Sequence, residues 1–162
     1  MAAVKSFREL NVYCIARKSN QRVFELTKAF PVEERYSLTD QIRRSSRAIK
    51  AMVAEAWAKR RYKAAFISKL DDALGESNET QSWLDDCSDC RYISDEQFRE
   101  LDDSYASIGA MLARMIDRAD DFCRYPPSTD YRSHAPRVTE AADVYNGESL
   151  DDFFHQSPIT DH

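Results

Sequence analysis

Residues 37–62 read Ser37-Leu-Thr-Asp-Gln-Ile-Arg-Arg-Ser-Ser-Arg-Ala-Ile-Lys-Ala-Met-Val-Ala-Glu-Ala-Trp-Ala-Lys-Arg-Arg-Tyr62. Leu38, Ile42, Ile49, Met52, Val53 and Ala56 recur at three- and four-residue steps, with Ser45 in the same stripe. That is the period of one buried helix face, held for about five turns. Ser37-Leu-Thr-Asp40 has the form of a capping box, with Asp where Glu or Gln is usual, and starts the helix at Leu38. Its end carries no punctuation, because Ala56 to Tyr62 holds neither glycine nor proline. A helix running on from 38 to 89 would be about 78 Å long at 1.5 Å per residue, too long to fold back on one small core. Compactness therefore requires a turn near 58–62.

Working outward, the stretch from about Tyr62 to Asp89 predicts a third helix, with Phe66, Leu70, Ala73, Ser77, Thr80, Leu84 and Cys87 as a heptad-like series. Ser94-Asp-Glu-Gln97 is a fuller capping box and opens a fourth helix through Phe98, Leu101, Tyr105, Ile108, Leu112, Met115, Ala119 and Phe122, which Pro126-Pro127 ends. A first helix is expected from about Ser6 to Ala29, with Phe7, Leu10, Cys14, Val23, Phe24 and Leu26 as its apolar side. Its middle, Arg17 to Arg22, is wholly polar and predicts thin packing there. Phe30-Pro31 stops it, since a residue before proline is pushed out of the helical region. Four amphipathic helices with short connections predict an all-α, antiparallel up-and-down four-helix bundle over residues 1–125.

Residues 126–162 differ in character. They hold all three histidines of the chain and seven acids against Arg132 and Arg137, and they predict a flexible acidic C-terminal tail. Within it, Leu150, Phe153 and Phe154 stand at i, i+3 and i+4, a pattern that suits either a short helix docking on a protein partner or incidental aromatics in a solvated tail.

Composition excludes several classes. Three glycines are too few for a phosphate-cradling loop or a chain of tight β-turns. No apolar run approaches the roughly 18 residues of a membrane span, and the N-terminus lacks a secretory signal's apolar core. Four cysteines without an export signal point to reduced thiols and a cytoplasmic location. Cys87-Ser-Asp-Cys90 lacks the two further ligands of a zinc site, and Cys14 and Cys123 belong near the opposite end of the bundle. No histidine falls within the helices, so neither a Glu-x-x-His metal pair nor a Ser-His or Cys-His couple forms among them. Glu55 and Glu79 lie off the apolar stripe, and Lys59 stands four residues after Glu55 as a surface partner. No cofactor, metal or catalytic residue is expected.

Charge is informative through its distribution. The net charge is −5, yet residues 41–69 hold nine Lys or Arg against Glu55 alone. Residues 71–105 hold twelve acids against Arg91 and Arg99. At 100° per residue, Arg43, Arg47, Lys50, Trp57 and Arg61 share one stripe of the second helix, and Asp72, Glu76, Glu79, Trp83 and Asp86 share one of the third. The plainest reading is two solvated faces whose tryptophans cover the bundle flank. A second is a subunit interface of Arg43, Arg47, Lys50 and Trp57 against Asp72, Glu76, Glu79 and Trp83 of the next copy, a head-to-tail contact that closes into a ring. A third places a phosphate backbone on the Lys59, Arg60, Arg61, Tyr62 and Lys63 turn, with Trp57 or Tyr62 stacking on bases.

Four blocks carry a family resemblance. They are Ser6-Phe-Arg-Glu-Leu-Asn-Val-Tyr13, Phe30-Pro-Val-Glu-Glu-Arg-Tyr-Ser-Leu-Thr-Asp-Gln-Ile-Arg-Arg44, Ala73-Leu-Gly-Glu-Ser-Asn-Glu79 and Tyr92-Ile-Ser94. With their spacing they resemble the four-helix-bundle proteins encoded by intervening sequences of bacterial 23S ribosomal RNA genes. The resemblance covers about residues 6–120. Ala48-Ile-Lys-Ala-Met-Val-Ala-Glu-Ala56 departs from it, lacking the proline, asparagine and glycine usual there. The resemblance implies a non-enzymatic bundle that assembles into a ring, usually a homopentamer. A more distant likeness, to the accessory protein of diversity-generating retroelements, implies RNA, DNA or a reverse transcriptase as partner, although that relative is basic and this chain acidic. The alternative is a protein-only adaptor acting through the tail.

Overall fold

A computed structural model describes residues 4–123. Among them are no strands but four long helices, α1 (Asn11–Leu26), α2 (Leu38–Lys59), α3 (Lys63–Asp89) and α4 (Asp95–Asp117), followed by the short α5 (Ala119–Phe122). Each long helix packs on the next, and α1 closes the cycle against α4. The chain is an all-α, up-and-down four-helix bundle. The tail that carries Leu150, Phe153 and Phe154 lies outside the described residues.

The core follows the periodicity most closely in α3, where all seven residues from Phe66 to Cys87 in the heptad-like series are buried. Ile42, Ile49 and Val53 of α2 and Leu101, Tyr105, Ile108 and Leu112 of α4 meet them. Polar members of these stripes are satisfied across the core. Thr80 Oγ1 donates to Ser45 Oγ at 2.9 Å, and Ser77 Oγ to the Tyr105 carbonyl at 3.2 Å. The Tyr105 phenol itself is fully buried without a hydrogen bond among the described residues, and the Ser46 hydroxyl is its polar neighbour.

The first helix differs from its expectation. Phe7–Glu9 is a separate 3-10 turn, Leu10 is extended, and only then does α1 begin. Ser6 caps the 3-10 turn by accepting from the Arg8 amide. Thr27–Ala29 forms a second 3-10 turn beyond α1. The break at Leu10 sets the phase of α1, so the buried face is Val12, Ala16, Ser19 and Val23, while Cys14 is exposed and Phe24 half-buried. The polar middle packs through small and polar groups only. Ser19 is small enough to be buried, and Asn20 Oδ1 accepts from Ser46 Oγ at 3.5 Å.

Each connection stops its helices by a different device. Before α2, the expected capping box does not form: Ser37 Oγ donates to the Glu34 carboxylate, which also accepts from the Leu38 amide, at 3.4 Å. Glu34 reaches this position because Val32–Glu34 is a 3-10 turn directly after Pro31. Its carboxylate also accepts from the Tyr92 hydroxyl at 3.2 Å, tying this connection to the one before α4. These bonds, Ser37 first, hold the Glu34 pKa below its ordinary value.

Between α2 and α3 the expected turn is confined to residues 60–62. Without a glycine, Arg60 Nη1 donates to the Trp57 carbonyl at 2.6 Å, satisfying a C-terminal acceptor, and Tyr62 is extended. After α3, the Tyr92 and Arg91 amides donate to the Cys87 and Ser88 carbonyls at 2.9 and 2.8 Å. This is a Schellman end with Arg91 in the left-handed region (φ 58) where glycine is commonest. The Ser94 and Gln97 capping box then forms in full. At the far end α4 stops at Asp117 instead of running through Phe122. The bend at Arg118 keeps Ala119 buried and stacks Phe122 on Phe66, with ring centroids 5.7 Å apart.

Candidate functional site

Helix α2 presents two flanks. Toward α3, Lys69 Nζ lies 3.0 Å from Asp72 and 3.5 Å from Glu55 of α2, and Glu55 lies 4.0 Å from Lys59. Glu76 of α3 feels Arg44 of α2. Its pKa is nonetheless raised, by desolvation first and by Glu79 and Asp72 beyond that. Glu79 Oε1 accepts from the Trp83 indole at 3.0 Å. Asp72, Glu76, Glu79 and Trp83 are thus brought together, as the helical spacing required, and two of the acids have in-chain cations.

Toward α1 the partners are different. Arg43 Nε donates to Thr27 Oγ1 at 2.7 Å, and the guanidinium groups of Arg43 and Arg47 lie 5.0 and 5.6 Å from the Phe24 ring centroid. Lys28 Nζ lies 4.8 Å from the same ring. Lys28 is also paired with Glu25 at 2.6 Å, but the ring contacts of Arg43 and Arg47 retain positive charge at the surface instead of cancelling it. Lys50, one turn further, joins Arg8, Arg17 and Lys18 around an open groove of about 630 Å³ between the N-terminal half of α1 and α2. Among the described residues, Arg17, Lys18 and Lys50 make no ion pair.

The basic turn is more self-contained than its composition suggests. Lys63 Nζ sits 2.8 Å from Asp120, and the Arg60 guanidinium lies 4.1 Å over the Trp57 ring. Arg61 is exposed, and Tyr62 is 68% exposed. Trp57 is half-buried at this end, distant along α2 from Arg43.

Arg8, Arg17 and Lys18 were not singled out from the sequence. Arg17-Lys18 reads there as part of a polar stretch, and its alignment with Lys50 depends on the α1–α2 register, which the displaced start of α1 sets.

The thiols occupy unlike environments. Cys87 is buried, and desolvation, then Asp86, pushes its pKa up to about 12, a protonated and inert state. Cys90 is exposed, and Cys14 Sγ donates to the Arg8 carbonyl at 3.2 Å. All four cysteines are free. No group of three His, Cys, Asp or Glu suited to a metal occurs among the described residues. No described helix is long and apolar enough to cross a membrane.

Fold and surface define a four-helix bundle with charge segregated onto separate flanks. The family model of the 23S rRNA-intervening sequence proteins matches residues 8–114, and the chain belongs to that family. A crystal structure from the S23 ribosomal protein family of Bacteroides thetaiotaomicron, a protein of unknown function, is similar at 31% identity and a TM-score of 0.60. The match covers 65% of this chain and 95% of that one. No curated protein matches.

Proposed function

We propose that the chain is a non-enzymatic, cytoplasmic scaffold that binds nucleic acid through the basic flank between α1 and α2. The carrying observation is the contrast in charge pairing. Asp72 has Lys69 and Glu76 has Arg44 beside it, whereas Arg17, Lys18 and Lys50 make no ion pair among the described residues. Unneutralised cations along a seam cost stability by mutual repulsion and favour polyanion binding. The deciding test is electrophoretic mobility shift with mixed RNA and DNA at low salt. Retardation that fades steeply as salt rises supports the reading, and no retardation at micromolar protein removes it.

A homo-oligomer, with a pentameric ring as its expected form, is the second reading. Its support is placement: the basic flank (Arg43, Arg47, Lys50) and the acidic one (Asp72, Glu76, Glu79, Trp83) lie on different sides of α2, as a head-to-tail contact needs. Light scattering at low and high salt tests it. A monomer in both conditions removes it. Charge reversal at Arg43 and Arg47, rescued by Asp72→Lys and Glu76→Lys, identifies the interface.

A further inference from the structure

We infer that the groove of Arg8, Arg17, Lys18 and Lys50 is a binding site for the backbone of single-stranded nucleic acid, an assignment that rests on the nucleic-acid reading above and narrows it to one place and one form of ligand. Four cations from three separate elements converge there: Arg8 from the 3-10 turn, Arg17 and Lys18 from α1, and Lys50 from α2. The carboxylates nearest in sequence are engaged elsewhere. Glu9 accepts from the Lys5 amide, and Glu25 is held by Lys28 and Gln21. None of the four cations makes an ion pair among the described residues, so the positive charge in the groove is not neutralised by direct pairing.

Shape selects the form of the ligand. The groove is a depression between two packed helices, whose axes lie about 8–10 Å apart in such bundles. A duplex, whose major groove alone is about 12 Å wide, rests across such a depression without entering it. One strand fits along it. Cations repeating at one helical turn, from Lys50 to Arg47 to Arg43, continue the path at about 5–6 Å steps. Asn20 in the groove wall supplies an amide able to donate and accept, and Tyr13 an aromatic edge. Among the described residues, neither α1 nor α2 protrudes as a recognition helix for a duplex groove, since each is packed on two neighbours.

The test is fluorescence anisotropy with a labelled 12-nucleotide oligo(U) and with a duplex of the same length. The expected result is tighter binding of the single strand. Arg17→Ala and Lys50→Ala should each raise Kd about tenfold at 50 mM salt and flatten the log Kd against log salt slope by about 0.7, one phosphate contact each. Arg17 is exposed and Lys50 half-buried, and an unchanged melting temperature certifies the fold of each variant. If the strand binds but only Arg43→Ala and Arg47→Ala weaken it, the groove assignment fails and the wider reading stands. Equal or tighter duplex binding also overturns the groove assignment. If neither probe binds, both fall together.

Discussion

Along α2, Arg44 and Glu55 look toward α3 and meet opposite charge, while Arg43, Arg47 and Lys50 look toward α1 and meet an aromatic ring and further cations. The packing beneath follows the same division. The buried face of α3 is Phe66, Leu70, Ala73, Ser77, Thr80, Leu84 and Cys87, whereas that of α1 is Val12, Ala16, Ser19 and Val23. One flank of the helix thus has the bulkier core side chains below and a cation, Lys69, shared between the two helices above. The other is lighter below and electrostatically unfinished above. Unfinished charge on the less cohesive seam is what a surface kept for a ligand looks like.

The largest effect expected from this contrast is in the core. Phe66→Ala should cost about 3–5 kcal/mol in urea unfolding, from lost transfer energy plus a cavity. Val12→Ala removes two methyl groups and should cost about 2 kcal/mol, at about 0.8 kcal/mol per group plus a small cavity. Native-state hydrogen exchange reads the same difference without mutation: α1 amides should open before those of α3. Equal protection of the two helices would break the comparison.

A smaller effect lies where the two seams meet. The Tyr105 hydroxyl, on α4, ends in the core beside Ser46 without a hydrogen bond among the described residues. Burying an unsatisfied hydroxyl costs free energy that phenylalanine does not incur. Tyr105→Phe should therefore stabilise the bundle by about 1 kcal/mol. A loss of similar size would mean that the hydroxyl has a partner, and would turn the polar seam from Asn20 through Ser46 into a cohesive element.

How much of this was legible in the sequence depends on what each feature needs. The buried faces of α3 and α4 were, because unbroken helices convert spacing directly into direction. The face of α1 was not, because the extended residue Leu10 resets the phase and no glycine or proline announces it. Glu34 as the cap of α2 was also hidden. Ser37 and Asp40 fit the local pattern, and only the path through Pro31 brings the Glu34 carboxylate to the Leu38 amide. The stripes of α2 and α3 were legible as stripes. Which neighbour each faced was not, since Lys69 with Glu55 and Lys50 with Arg17 are relations of register between helices. The 58–62 turn was legible from length alone, and Arg60 capping the Trp57 carbonyl supplies the physical stop that composition lacked.

The smallest effect is the most direct test of the electrostatic half of the contrast. Lys69→Met removes the cation shared by Glu55 and Asp72, and should lower the melting temperature at neutral pH and low salt, with the loss shrinking in 1 M salt. The Asp72 hydrogen bond, and then its charge, raise the Lys69 pKa above the ordinary 10.5. A pKa raised by folding gives stability that is fully present below the unfolded value and lost as pH rises through the folded one. The gap between Lys69→Met and the parent chain should therefore be constant from pH 6 to 9 and close above about 10.5, in melts followed by circular dichroism. Lys50→Met should behave oppositely: removing one of four converging cations relieves repulsion, so the melting temperature should hold or rise. If Lys50→Met destabilises as Lys69→Met does, Lys50 has a structural partner, and the two flanks of α2 are electrostatically alike.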